Sequence, residues 1–200
     1  PRTSKSSSIA SPVVGLVGNP NSGKSSLFNL LTGLRQRIGN FPGVTVEKKS
    51  GVLQIDGFPP VEIIDFPGAY SCYPTSLDER LVVQELTNPK GDLFPDAILY
   101  VADVTKLDKH LLLFTQLRDL DLPMILVLNM ADLIKEEGLQ IDVTKLSHRL
   151  GVPVVAVSSR ESQGVAELKT AIGDLLRNPK AFRPEEPFYE PGVLARDVLT

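Results

Sequence analysis

Gly18 to Ser25 read Gly-Asn-Pro-Asn-Ser-Gly-Lys-Ser, which matches the phosphate-loop pattern G-x-x-x-x-G-K-[ST]. The loop follows an apolar, β-branched run at 13–17 and precedes a helix-like run at 26–31, which is the context the motif requires. In such a loop, glycine lets the backbone approach a phosphate, and successive N–H groups supply positive potential. The stretch predicts a nucleotide-binding α/β domain.

The loop residues have separate expected roles. Lys24 is expected to reach the β- and γ-phosphates, and the Ser25 hydroxyl to ligate Mg²⁺. A glycine turn with a chance lysine is the structural alternative, which the strand–loop–helix context disfavours. The other residues expected to touch nucleotide are Gly18, Asn19, Asn21, Ser22, Gly23 and Ser26.

Two later segments complete a magnesium and γ-phosphate site. Asp65, at the end of an apolar run, is expected to hold Mg²⁺, and the Gly68 N–H to face the γ-phosphate. Thr45 lies in a loop with two glycines and a proline, which suits a nucleotide switch that completes the Mg²⁺ coordination. The structural alternatives are ordinary turns at both places.

Asn129-Met130-Ala131-Asp132 resembles the N-K-x-D motif of guanine-nucleotide-binding proteins, with Met130 where lysine is usual. A carboxylate at Asp132 accepts from guanine N1–H and the exocyclic amine, whereas adenine lacks that pair of donors. The alternative is a helix start capped by Asn129 or Asp132. Ser158 and Ser159 follow the next apolar run and are expected to donate backbone N–H groups toward guanine O6, or to form a plain polar loop.

Composition limits the class of protein. The 200 residues carry a net charge of −3, which argues against non-specific nucleic-acid binding, so no nucleic-acid partner is expected. The single cysteine, Cys72, allows no intramolecular disulfide. The apolar runs are too short to span a membrane, so we expect this stretch of chain to be soluble.

The alternation of apolar runs and helical patterns predicts a parallel sheet wrapped by helices. Together with the order of the motifs above, it predicts a three-layer, Ras-like phosphate-loop GTPase fold of the α/β class. We expect a mostly parallel six-stranded sheet with one antiparallel edge strand and helices on both faces. Asp56-Gly57 marks the hairpin of that antiparallel pair. The expected divisions are a flexible tail at 1–12, a GTP-binding G domain at 13–177, and a linker or truncated start of a helical domain at 178–200. The predicted strands are 13–17, 47–55, 61–64, 97–101, 124–128 and 154–157, and the predicted helices are 24–34, 77–87, 109–119, 143–150 and 165–176.

Ala69 follows Gly68, at the place where Ras-like proteins carry a glutamine that orients water. A methyl group cannot orient water, so intrinsic hydrolysis of GTP is expected to be slow.

Residues 13–177 resemble the N-terminal G domain of the FeoB family of bacterial ferrous-iron transport proteins. The resemblance rests on the phosphate loop, on Asn-Phe-Pro-Gly-Val-Thr-Val-Glu at 40–47, and on Asp-Phe-Pro-Gly-Ala-Tyr-Ser at 65–71. Two further segments, Tyr-Val-Ala-Asp-Val-Thr at 100–105 and Leu-Leu-Leu-Phe-Thr-Gln at 111–116, extend it. Cys72 and Ser159 depart from residues common in the family.

The resemblance implies a GTPase that regulates Fe²⁺ uptake, with Mg²⁺ as cofactor and catalysis by Lys24, Thr45, Gly68 and Asn21. It also implies K⁺ bound beside the phosphates by Asn21, although a loop-shaping role for Asn21 is the alternative. The implied partners are GTP, GDP, a following helical domain and a membrane permease domain of the same polypeptide, at the cytoplasmic face of the bacterial inner membrane. A homo-oligomer is left open.

Two other functions are weighed against this one. An Era- or MnmE-like GTPase of ribosome assembly or tRNA modification shares the Pro-Asn-x-Gly-Lys-Ser core. A non-catalytic nucleotide switch is the second alternative.

Overall fold

The computed structural model describes residues 11–184. A seven-stranded sheet in the order β2-β3-β4-β1-β5-β6-β7 forms the middle layer. The strands are Val13–Gly18 (β1), Gln36–Asn40 (β2), Glu47–Leu53 (β3), Val61–Asp65 (β4), Ala97–Asp103 (β5), Met124–Asn129 (β6) and Val154–Ala156 (β7). The helices are Lys24–Thr32 (α1), Leu77–Thr87 (α2), Leu107–Arg118 (α3), Leu133–Glu136 (α4), Val143–Leu150 (α5) and Val165–Arg177 (α6).

Alternation along the buried strands divides the core into two halves, one on each face of the sheet. In β5, Ile98 and Tyr100 face α2, α3 and α5, whereas Leu99 and Val101 face α1 and α6. All seven residues of β5 are buried, as expected for a central strand covered on both faces. The chain therefore has the three layers expected from its sequence.

Strands β4, β1, β5, β6 and β7 pair in parallel, so their carboxyl ends lie along one edge of the sheet. That edge is where open α/β sheets bind ligands. Gly18, Asp65 and Asn129 are the last residues of their strands. The parallel topology thus places the predicted site residues together.

The predicted fold class is confirmed, with one strand more than expected. Residues 36–40 form β2, which pairs antiparallel with β3, and β3 pairs antiparallel with β4. Every residue of β2 is exposed, so the segment has no apolar alternation that a sequence pattern could detect. Its hairpin with β3 defines it instead.

Two helices differ from the sequence expectation for local reasons. Helix α1 ends at Thr32, before the expected residue 34, because Gly33 and Leu34 adopt left-handed conformations with φ of 61° and 63°. Helix α4 is a single turn without buried residues, so it carries no periodic apolar signal. The turn at Pro179–Phe182 follows α6, and Phe182 packs against the core on that face. The predicted tail at 1–12 and segment at 178–200 lie largely outside the described residues.

Adjacent leucines of α3 provide a test of this layering. Leu113 is 1 % exposed and Leu112 is 57 % exposed. Leu113→Ala should lower the free energy of unfolding by about 2–5 kcal/mol, because it removes buried methyl groups and leaves a cavity. Leu112→Ala should change it by no more than about 0.5 kcal/mol. Urea denaturation of both variants measures the difference, and equal losses would contradict the assignment of the buried face.

Candidate nucleotide-binding site

The phosphate loop turns sharply into α1. Asn21 and Gly23 have positive φ angles of 62° and 78°, and Lys24 begins the helix. A Cβ on Gly23 would stand 2.2 Å from Asn129 Nδ2, so only glycine fits there. Gly18 is equally confined, because a Cβ would stand 2.3 Å from the Val101 carbonyl oxygen. The backbone therefore holds the curvature that exposes its N–H groups to an anion.

Hydroxyl and carboxylate groups meet beside this loop. Lys24 Nζ forms an ion pair with Asp65 Oδ1, and Ser25 Oγ lies 3.4 Å from Asp65 Oδ2. Thr45 is exposed and lines the same cavity, of ≈ 470 Å³, as these three residues. The three residues predicted for Mg²⁺, Ser25, Thr45 and Asp65, are thus brought together.

The Asp65–Gly68 segment is attached to the phosphate loop. Ala69 N donates to the Gly18 carbonyl oxygen at 3.2 Å. A Cβ on Gly68 would come within 2.9 Å of the Pro20 ring, so Gly68 sits directly against the loop. Asn21, Lys24 and Gly68 line one cavity. Of the four residues predicted to be catalytic, these three therefore share a cavity, and Thr45 lines an adjoining cavity with Lys24 and Gly68.

The Asn19 side chain is hydrogen-bonded to Tyr100, a residue that the sequence did not assign to the site. The Tyr100 hydroxyl lies 2.6 Å from Asn19 Oδ1 and 2.6 Å from the His110 carbonyl oxygen. The phenol directs its one proton toward both oxygens, so the Tyr100 hydroxyl is the donor to Asn19 Oδ1 and to the His110 carbonyl. The Asn19 side chain therefore anchors the loop, and only its backbone is free to face a ligand.

Asn129 connects three loops. Its Nδ2 donates to the Ser22 carbonyl oxygen at 2.9 Å, and its Oδ1 accepts from Ser159 N at 3.1 Å and Ser159 Oγ at 2.7 Å. The helix-cap alternative for Asn129 therefore does not apply. Serine in place of alanine at 159 adds one hydrogen bond to this junction.

A further cavity lies beyond Asn129, where the sequence predicts that the base binds. Met130, Asp132, Ser159 and Ser26 line a cavity of ≈ 430 Å³ next to Gly23. Asp132 precedes α4 without capping it through its side chain. A hydrogen bond from the Ser158 hydroxyl lowers the pKa of Asp132, as do a hydrogen bond from its own backbone N–H and the charge of Arg160, so the carboxylate is ionised at neutral pH.

The segment after Gly68 is fastened by residues that the sequence did not single out for this role. Glu79 Oε1 accepts from Tyr70 N at 3.0 Å, and its Oε2 accepts from Thr75 N and Oγ1, each at 2.8 Å. Gln116 Oε1 accepts from Cys72 N at 2.7 Å. Ser76-x-x-Glu79 has capping-box spacing, which was the available signal, but the Glu79 side chain turns to the preceding loop.

The remaining titratable candidates have structural partners. His110 is buried, and its Nδ1 accepts from Asp103 N at 3.1 Å, so it is a satisfied core histidine. Burial lowers the pKa of His110 and raises that of the Cys72 thiol. Within residues 11–184 no group of three His, Cys, Asp or Glu residues is placed to hold a metal, and no helix is long and apolar enough to cross a membrane.

These features define a phosphate-loop nucleotide-binding domain, and the family model "Ferrous iron transport protein B" matches residues 12–172. The chain belongs to that family, and its described fold is the family's N-terminal G domain. The Fe(2+) transporter FeoB of Leptospira biflexa is 37 % identical over 185 residues, which is 92 % of this chain and 26 % of that protein. The Salmonella typhimurium Fe(2+) transporter FeoB is 44 % identical over 163 residues, 80 % of this chain and 20 % of the relative. The chain thus spans about a quarter or less of these relatives.

Solved structures agree with the family assignment. The G domain of T. maritima FeoB is 39 % identical with a TM-score of 0.75, covering 82 % of this chain and 98 % of that one. The cytosolic domain of L. pneumophila FeoB is 36 % identical with a TM-score of 0.81, covering 94 % and 77 %. An S. thermophilus NFeoB mutant bound to mGDP is 44 % identical with a TM-score of 0.74, covering 80 % and 60 %.

Glu79 gives the site a testable pH dependence. Hydrogen bonds to the carboxylate, first from the Thr75 backbone N–H, lower the pKa of Glu79. Because the folded pKa lies below the unfolded one, the carboxylate stabilises the domain at neutral pH, and this contribution is lost as pH falls through the folded pKa. Glu79→Gln should cost about 1–3 kcal/mol at pH 7 and flatten the loss of stability below about pH 5.

Urea denaturation at several pH values measures both effects. Glu167→Gln is the matched control, since Glu167 is exposed in the first turn of α6. If Glu79→Gln and Glu167→Gln have the same pH profile, Glu79 does not fasten the segment.

Proposed function

We propose that the chain binds GTP and GDP with Mg²⁺ and hydrolyses GTP slowly, as the regulatory domain of a bacterial Fe²⁺ transporter. The observation that carries the proposal is the meeting of two groups of residues at one sheet edge. Lys24 and Ser25 of the phosphate loop line one end of a cleft with Thr45 and Asp65, and Asp132 lines the other end.

Guanine is the base that the far end of the cleft suits. An ionised Asp132 needs two donors, which guanine presents as N1–H and the exocyclic amine. Adenine presents neither of these donors, so its binding lacks both contacts with the carboxylate. Ser159 N already donates to Asn129, so its share in reading guanine O6 requires a bifurcated or rearranged contact.

The donor set beside the loop fits Mg²⁺, which takes hydroxyl and carboxylate oxygens. Ser25, Thr45 and Asp65 are the residues that would hold it, and the bound ion would neutralise charge on the phosphates. Lys24 adds a positive charge, and the Gly68 N–H adds a donor at the γ-phosphate end of the cavity. These groups position the triphosphate and stabilise developing negative charge.

Slow hydrolysis follows from Ala69, which is fully buried and offers only a methyl group where a glutamine would orient water. Asn21 is exposed and has a positive φ angle, and it lines the same cavity as Lys24. We assign to Asn21 a K⁺ ion beside the phosphates, which would supply charge that the protein lacks there.

The wider protein is proposed from the family. A membrane permease domain, with a helical domain after about residue 178, is the expected partner in the same polypeptide. The G domain would then act at the cytoplasmic face of the bacterial inner membrane.

Base selection is tested by calorimetric titration of GDP, of a non-hydrolysable GTP analogue and of the matching ATP analogue. We expect at least about 100-fold preference for guanine, and its loss in Asp132→Asn, because one carboxylate oxygen becomes a donor. Equal affinity of the parent chain for the GTP and ATP analogues would contradict the base assignment.

Catalysis is tested by single-turnover hydrolysis in KCl and in NaCl at equal ionic strength. The parent should release phosphate about tenfold faster or more in K⁺, and Asn21→Ala should abolish that difference while binding GDP nearly unchanged. No phosphate release in either salt would favour a non-catalytic switch. Equal rates in both salts would exclude the role of K⁺.

A further inference from the structure

Arg160 forms an ion pair with Asp132, the carboxylate that is proposed to bind the base. Its Nη2 lies 2.9 Å from Asp132 Oδ2, and the Asp132 side chain is only 7 % exposed. The Arg160 side chain is 66 % exposed, and the same nitrogen lies 3.9 Å from Glu161 Oε1. An exposed surface cation is therefore paired with a nearly buried anion.

The Asp132 carboxylate has little capacity left beyond these contacts. The Ser158 hydroxyl also donates to it, and Ser158 is itself held because its Oγ accepts from Glu161 N at 3.1 Å. Guanine would bring two further donors, N1–H and the exocyclic amine, to the same pair of oxygens. Arg160 and Asp132 also line one cavity, so the guanidinium stands where the edge of the base must arrive.

We propose that Arg160 competes with guanine for Asp132 and thereby sets both the rate of nucleotide capture and the selectivity for the base. The inference rests on the proposed reading of guanine by Asp132. Guanine enters only when the guanidinium leaves, so the apparent association rate is reduced by the fraction of domains with Arg160 paired. The high exposure of Arg160 lets it leave into solvent at modest cost.

The competition also lowers selectivity. When adenine or hypoxanthine enters, Arg160 can keep one or both Asp132 oxygens satisfied, so these bases avoid burying an unpaired carboxylate. Without Arg160 the carboxylate would have only Ser158 and the donors of the base itself. Arg160 therefore weakens the binding of guanine nucleotides and reduces the penalty for binding adenine or hypoxanthine nucleotides.

The test measures association and dissociation of fluorescently labelled mGDP by stopped flow, in the parent, Arg160→Ala and a control. Arg183→Ala is the matched control, since Arg183 Nη1 pairs with Asp121 Oδ2 at the same 2.9 Å outside the cleft. Arg160→Ala should raise the association rate about threefold to tenfold and leave dissociation within about twofold. Raising NaCl at fixed KCl should narrow the difference in association rate between the parent and Arg160→Ala, because salt screens the exposed Arg160–Asp132 pair.

Competition with unlabelled IDP and ADP measures selectivity. Arg160→Ala should increase the preference for GDP over both, because only guanine supplies two donors to the freed carboxylate. An unchanged or slower association, or an unchanged preference, would overturn the proposal. Slower association would instead make Arg160 a residue that helps to hold the base.

The variant Asp132→Ala distinguishes failure of the Arg160 competition from failure of the proposed guanine recognition by Asp132. If Asp132 reads guanine, Asp132→Ala weakens mGDP binding, and adding Arg160→Ala then changes nothing further. If Asp132→Ala leaves mGDP affinity unchanged, the reading of guanine fails and the competition fails with it. If Asp132→Ala weakens binding while Arg160→Ala behaves like the control, only the competition is overturned.

Discussion

The amide of Asn129 is the contact on which the nucleotide cleft depends. Its nitrogen holds the Ser22 carbonyl of the phosphate loop, and its oxygen holds Ser159 of the loop after β7. The side chain reaches the loop because Gly23 has no Cβ in its path. A single buried amide, 1 % exposed, therefore ties the phosphate loop to the loop after β7.

Both carboxylates proposed to meet the ligand are already balanced by a cation. Asp65 pairs with Lys24, and Asp132 pairs with Arg160. A nearly buried carboxylate requires a partner, because burying it alone is costly. Lys24 is itself 10 % exposed and belongs to the loop, whereas Arg160 is mostly in solvent. The same electrostatic requirement is thus met by a nearly buried cation at one end and by an exposed one at the other.

A chain of contacts links Gly68 to the rest of the domain. Gly68 contacts the phosphate loop directly, and the segment that follows it is fastened to α2 by Glu79 and to α3 by Gln116. Both helices belong to the core on one face of the sheet. Movement of Gly68 would therefore strain hydrogen bonds to two helices rather than remain local.

The local sequence pattern determined the fold class and the order of most strands and helices along the chain. It also gave the bounds of α2 and α5, because apolar periodicity records which face of an element is buried. It also placed Lys24, Asp65 and Asn129 at strand or helix ends, since the motifs are defined by those junctions. The exposed strand β2 and the single-turn helix α4 were not predicted, because neither has a buried face. Only the tertiary structure decided that Tyr100 anchors Asn19, that Glu79 turns away from its helix, and that Arg160 meets Asp132. Those contacts join residues on different elements or reverse a local preference, and the periodicity of one segment carries no information about its spatial neighbours.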